Sequence, residues 1–172
     1  MTFSTAEIVE KISENSPAVA YDLVNPVTEV MLMARQTCDG DLDRALVMLI
    51  VTLRSSGHPE FRSLSPEEIA GGEALPSYGT NIQSLADSTG IPRETVRRKV
   101  NELIDKGWVS RRGNALSYTV AGYAAVKPTR DAIIAMHAQG YGVVHSLLGA
   151  DGSAALNRAP PAATPASGCE TR

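Results

Sequence analysis

Gly90 and Gly107 bracket the stretch that most constrains this chain. Between them Val96, Val100, Leu103 and Ile104 fall at i, i+4, i+7 and i+8, which is one face of a helix from Pro92 to about Lys106. Pro92 opens that helix at a position where its missing N–H costs nothing. Glu94, Thr95, Arg98, Asn101, Glu102 and Asp105 take the far side, with Arg97 and Lys99 at the two edges of the apolar face. A helix with this split is half-buried, so it needs elements to lie against and leaves a polar face free.

The flanking residues supply those elements. Asn81 to Ser88 reads as a short helix with Ile82, Leu85 and Ala86 facing inward. Thr89-Gly90 stops it, Gly90 taking the positive-φ conformation that helix ends often need, and Ile91 fills the angle of the turn. Two short helices joined by a Gly-containing turn fit a helix-turn-helix. After Gly107, Trp108 is a large apolar anchor. Trp108–Arg111 and Ala115–Val120 pair as strands around Arg112-Gly113-Asn114, with Leu116, Tyr118 and Val120 alternating. Such a hairpin after a reading helix is a wing.

The chain has 172 residues, with 16 Lys+Arg against 19 Asp+Glu, and a net charge of −3 argues against a nucleic-acid partner. Its distribution argues the other way. Residues 1–75 hold five basic and twelve acidic side chains, whereas Pro92 to Arg112 holds seven basic and three acidic. Concentrated positive charge beside a free helix face is the electrostatic footprint of a nucleic-acid contact, and an ordinary solvated face is the plainer alternative. A major groove admits a helix whose first side chains reach base edges. Arg93, Arg97 and Arg98 provide planar donors there, and Thr95 a hydroxyl and a methyl group. Glu94 can accept from a cytosine amine or cap the helix. Lys99 is a flanking phosphate contact, and Asn101 lies on the free face. Arg111, Arg112 and Asn114 at the hairpin tip suit phosphate or the minor groove.

Gly90-Ile91-Pro92-Arg93-Glu94-Thr95-Val96-Arg97-Arg98, with Leu103 and Lys106-Gly107-Trp108-Val109 after it, resembles bacterial winged helix-turn-helix transcription regulators. The resemblance is to the reader segment of the GntR type, with the MarR and IclR types as relatives in architecture. It covers about 40 of the 172 residues. It implies that Arg93, Thr95 and Arg97 contact double-stranded operator DNA. Pro92 departs from the usual Ser or Thr cap, Leu75-Pro76-Ser77 is spaced differently from a GntR entry, and residues 1–75 match no effector domain. Operators of such regulators are usually palindromic, which implies a homodimer.

The remaining chain reads as helical. Ser4 and Glu7 have capping-box spacing for a helix to about Asn15. A second helix starts after Asn25-Pro26 and runs to Thr37. A third starts near Asp41 and carries Leu42, Ala45, Leu46, Leu49, Ile50 and Leu53. Helices apolar on more than one side are central or shared with another subunit; the 26–55 and 129–148 helices are the expected dimer contact. Residues 57–79 read as a connector with a short helix at Ser65–Ala70. Thr119–Val126 is a turn or short helix, and Thr129 to Leu148 a last helix interrupted at Gly140 and Gly142. From Ala150 the composition predicts a disordered tail. The expected fold class is mainly α with a small β-wing, a winged helix-turn-helix with added N- and C-terminal helices. Its parts are an acidic helical region at 1–75, the winged unit at 76–126, the last helix at 127–149 and the tail at 150–172.

Other classes are poorly supported. The longest apolar run, Ala45 to Val51, is far short of the roughly 20 residues that span a bilayer. The first residues lack a basic n-region and an apolar h-region, and Cys38 and Cys169 read as free thiols, so a cytoplasmic protein is expected. His137 and His145 lie two turns apart with Tyr141 between them, but with His58 as the only other histidine no metal site is expected. Glu67-Glu68 and Asp41/Asp43 read as helix-start charges. No nucleophile–base constellation or phosphate loop is present, so neither enzymatic activity nor a cofactor is expected. An unidentified small-molecule effector is a candidate partner, with the acidic half as the place for its pocket. The rival reading is a winged helix used as a protein-interaction or scaffold module without specific DNA binding.

Overall fold

The computed structural model describes residues 3–72 and 75–149; the tail expected from Ala150, with Cys169, lies outside the described residues. The protein is mainly helical, and among the described residues the sheet is a two-stranded antiparallel hairpin. No described helix is long and apolar enough to cross a membrane. The described residues divide into two compact units: those up to residue 26 with those from residue 137 on, and those from 27 to 136.

In the first unit, α1 (Thr5–Glu14) begins at the expected capping box, Ser4 N donating to Glu7 Oε2 at 2.7 Å while Glu7 N donates to Ser4 Oγ. α2 (Ser16–Thr37) begins in this unit, well before the boundary expected at Asn25-Pro26, and continues into the second. Pro26 lies inside the helix and is buried. An internal proline removes one backbone hydrogen bond and crowds the carbonyl four residues back, at a cost of about 3 kcal/mol. The helical residues on both sides, with Val19 buried and Leu23 half-buried, offset it.

The second unit is built around α3 (Leu42–Ser56), which packs on α6 (Ile82–Thr89), α7 (Arg93–Asp105) and β2 (Ala115–Tyr118). Asp41 caps α3, accepting from Arg44 N at 3.0 Å. Val47, Met48 and Val51 turn inward against Leu85, Val96, Val100, Leu103 and Leu116. Leu42, Leu46, Leu49 and Leu53 occupy the opposite face and are 38–55% exposed. The apolar character on two sides of this helix therefore has two causes, a core on one side and an uncovered stripe on the other.

The stretch read as a connector holds two short helices, α4 (Pro59–Ser63) and α5 (Pro66–Gly71), the latter with a Ser65/Glu68 capping box. Thr80 then bridges to Leu116, their amides and carbonyls exchanging hydrogen bonds of 3.0 and 2.8 Å. β1 (Val109–Arg112) pairs with β2 so that Arg111 faces Leu116 and Arg112 faces Ala115. α8 (Val120–Ala125) follows its Thr119 cap at once. Gly122 lets this turn approach the hairpin: a Cβ there would lie 2.4 Å from Trp108 O. α9 (Lys127–Leu148) is continuous through Gly140 and Gly142, where the expected interruption is not found. A Cβ at either glycine would meet nothing within 4 Å, so no close contact forces the backbone there.

Candidate nucleic-acid interface

The α6–turn–α7 arrangement grows from local signals. Asn81 caps α6 by accepting from Ser84 N at 3.0 Å, and Gly90 ends it at φ 71. Pro92 sits one position earlier than expected, as the N-cap of α7 in extended conformation, and Arg93 is the first helical residue. Pro92 has no side-chain acceptor to close the first turn. Val96, Val100 and Leu103 are fully buried and fix the rotation of α7 about its axis. That rotation decides where every polar side chain goes.

Arg93, Arg97 and Asn101 stand one turn apart and line an open cleft of about 450 Å³. The hairpin supplies Arg111 and Asn114 from the other side, and the start of α6 supplies Asn81, Ile82 and Gln83. Arg111 Nε donates to Gly113 O at 3.0 Å, which holds the guanidinium at the tip. Gly113 takes φ 59 in the two-residue turn. Three guanidinium groups and four side-chain amides thus converge in one place.

The other expected residues divide. Glu94, Thr95, Arg98 and Arg112 lie outside the cleft lining: Thr95 is half-buried, and Glu94, Arg98 and Arg112 are exposed. Arg97 Nε is 3.5 Å from Glu94 Oε2 on the same helix. Lys99 requires a correction. It is 8% exposed and its ammonium is paired with Asp41, so it is not a flanking phosphate contact. At the edge of the apolar face, one rotation step puts a side chain either in water or against α3, and here α3 is the neighbour.

Behind α7 lies a cluster that the sequence reading missed. Arg44 donates to Glu102 Oε2 from Nε at 3.0 Å and from Nη2 at 2.6 Å. Lys106 pairs with Asp39 at 2.9 Å. The Lys106 hydrogen bond and charge hold Asp39 below its ordinary value. Burial pushes Asp41 up, but the hydrogen bonds from Lys99 and the Arg44 amide, with both positive charges, outweigh it and hold it low. Asp39 and Asp41 stand in the turn between α2 and α3, where Asp39 has φ 53 and Gly40 φ 85. The acidic residues at 39 and 41 were the available signal, but a helix-start charge and a distant ion-pair partner look alike in sequence. Cys38 beside them is a buried free thiol whose ionisation burial pushes up.

Among the described residues no group of three His, Cys, Asp or Glu side chains is arranged to hold a metal ion. Comparisons of the chain with protein-family models, curated proteins and solved structures found no match.

Proposed function

We propose that this protein is a transcription regulator of bacterial type that binds double-stranded DNA sequence-specifically through a winged helix-turn-helix, α6–α7 and the β1–β2 hairpin. One observation carries the reading: the Arg93–Arg97–Asn101 row of α7 faces Arg111 and Asn114 of the hairpin across one open cleft. Arginine is suited to guanine O6 and N7, asparagine to adenine N6 and N7, and both to phosphate. α7 is the reading helix, its first turn presented by the bare Pro92 cap. Arg98 and Arg112, exposed outside the cleft, extend the cationic surface to the duplex backbone, and Thr95 and Glu94 modulate the first turn.

The protein acts in the cytoplasm as a homodimer. The Leu42, Leu46, Leu49 and Leu53 stripe, with exposed Val27, Met31 and Leu32 of α2 and Ile134 of α9, supplies the apolar contact. Thr37 and Thr129 share a 3.0 Å hydrogen bond that ties these two helices together within the stripe's own unit.

Selection of bound duplexes from a random pool at stated salt tests both parts. A palindromic consensus is expected. Equal retention of all sequences would replace this reading with a protein-interaction module.

A further inference from the structure

Glu102 stands between two arginines on opposite sides of α7. On the inner side, Arg44 holds its Oε2 with two hydrogen bonds, and the Arg44 side chain is 13% exposed. On the outer side, Arg98 Nε lies 4.0 Å from Oε1, one turn back along the helix. Arg98 is 66% exposed on the duplex-facing surface proposed above. Lys99 Nζ is 3.9 Å from Oε2 but is already committed to Asp41.

The inner cluster is electrically closed. Arg44, Lys99 and Lys106 balance Asp39, Asp41 and Glu102, so the acidic residues beneath α7 draw little on the cations outside. An arginine giving two charge-assisted hydrogen bonds competes well against a solvated one that has to order a long side chain. Glu102 therefore commits its Oε2 inward while Arg44 is present, and its Oε1 keeps only a loose 4.0 Å ion pair with Arg98. Without that guanidinium the carboxylate keeps its charge, and Arg98 is the nearest exposed donor.

We propose that Arg44 is a positioning residue for duplex binding: by holding Glu102 Oε2 inward, it limits Glu102 to a loose pairing with Arg98 that a phosphate can displace. The inference rests on the duplex reading of α7. It assigns a role in DNA affinity to a side chain on α3 that the duplex does not touch.

The test uses the full chain and its selected duplex, with affinity measured across a salt series. Arg44→Met is expected to weaken binding about 5- to 10-fold and to reduce the salt slope by about one, the signature of one lost phosphate contact. Arg44→Met with Glu102→Gln is expected to return affinity to within about twofold of wild type, although the inner pair is still missing. Arg98→Ala should weaken the wild type and have little effect in the Arg44→Met background. A purely structural role for Arg44 predicts neither the rescue nor this non-additivity. Unchanged affinity in Arg44→Met, or a double variant no better than Arg44→Met, overturns the proposal. Should Arg44→Met fail to fold, Arg44→Lys decides: a loss in affinity and slope is expected, and wild-type binding overturns it. A wild-type chain that prefers no duplex overturns the duplex reading and this inference together, an outcome distinct from a wild type that binds and variants that match it.

Discussion

Asp41 caps α3 through the Arg44 amide and pairs with Lys99 of α7, so one carboxylate both begins a helix and holds another in place. The two partners are 58 residues apart in sequence. Lys99 is consequently part of the fold, whereas Arg97 and Arg98 beside it are part of the surface.

Loss of Asp41 should be costly for that reason. Asp41→Ala removes a cap, leaves the buried Lys99 ammonium with only the 3.9 Å approach of Glu102, and is expected to destabilise the protein by about 2–4 kcal/mol. Urea unfolding measures it. Adding Lys99→Met should recover part of the loss, because the buried ammonium that lost its nearer partner is then gone. A cost below about 0.5 kcal/mol for Asp41→Ala would show that the pair is unimportant.

Acid should loosen the same attachment. Lys106 holds Asp39 low, and at Asp41 the Lys99 and Arg44 contacts outweigh burial. A carboxylate held low contributes stability that is complete above its unfolded value near 3.9 and is lost as pH falls through the lower folded value. The melting temperature is expected to be insensitive to these groups between about pH 5 and 8, and to fall below about pH 4. Asp41→Asn should flatten the acid limb; an unchanged limb would assign it to other carboxyls.

In the proposed reading, Arg97→Ala should cost about 1–3 kcal/mol of specific binding and relax preference at one base position. Arg112→Ala should instead weaken all duplexes alike and lower the salt slope by about one. Wild-type affinity in a variant lacking both Arg97 and Arg98 would sink the assignment of α7 as the reading helix.

Gly122→Ala is a test of the fold alone. Its added methyl would lie 2.4 Å from Trp108 O and 2.9 Å from Tyr118 Cε2, against backbone and a buried ring. A loss of about 1–3 kcal/mol is expected by thermal or urea unfolding. Gly140→Ala, with open space around it, should be neutral or slightly stabilising.

Charge on the exposed leucine stripe should separate folding from association. Leu46→Glu with Leu49→Glu leaves the inward Val47, Met48 and Val51 untouched. In the proposed reading, sedimentation is expected to show a dimer for the wild type and a folded monomer for this variant. A dimer of unchanged affinity would move the contact away from α3.

Much of the local architecture could be read from sequence because its causes are local. The Ser4/Glu7 box, the short helices beginning near Asn81 and Thr119 and the positive-φ turn at Gly90 depend on residues a few positions apart. The hairpin could be read from alternation at Leu116 and Tyr118. Where rules competed, reading went astray. Asn25-Pro26 looked like the boundary before a helix, but the helix runs through it. Gly140 and Gly142 looked like an interruption, yet no contact there demands one.

By itself the sequence determined the half-apolar helix at 93–105, its turn and hairpin, and the clustering of arginines along them, since periodicity, capping and charge are properties of neighbouring residues. Only the tertiary structure decided that Arg93, Arg97 and Asn101 share a cleft with Arg111 and Asn114 while Lys99 and Glu102 turn to α3. The physical reason is rotational. A side chain at the edge of an apolar face goes to water or to an ion partner according to what packs beside it, and that neighbour comes from a part of the chain that local pattern does not reach.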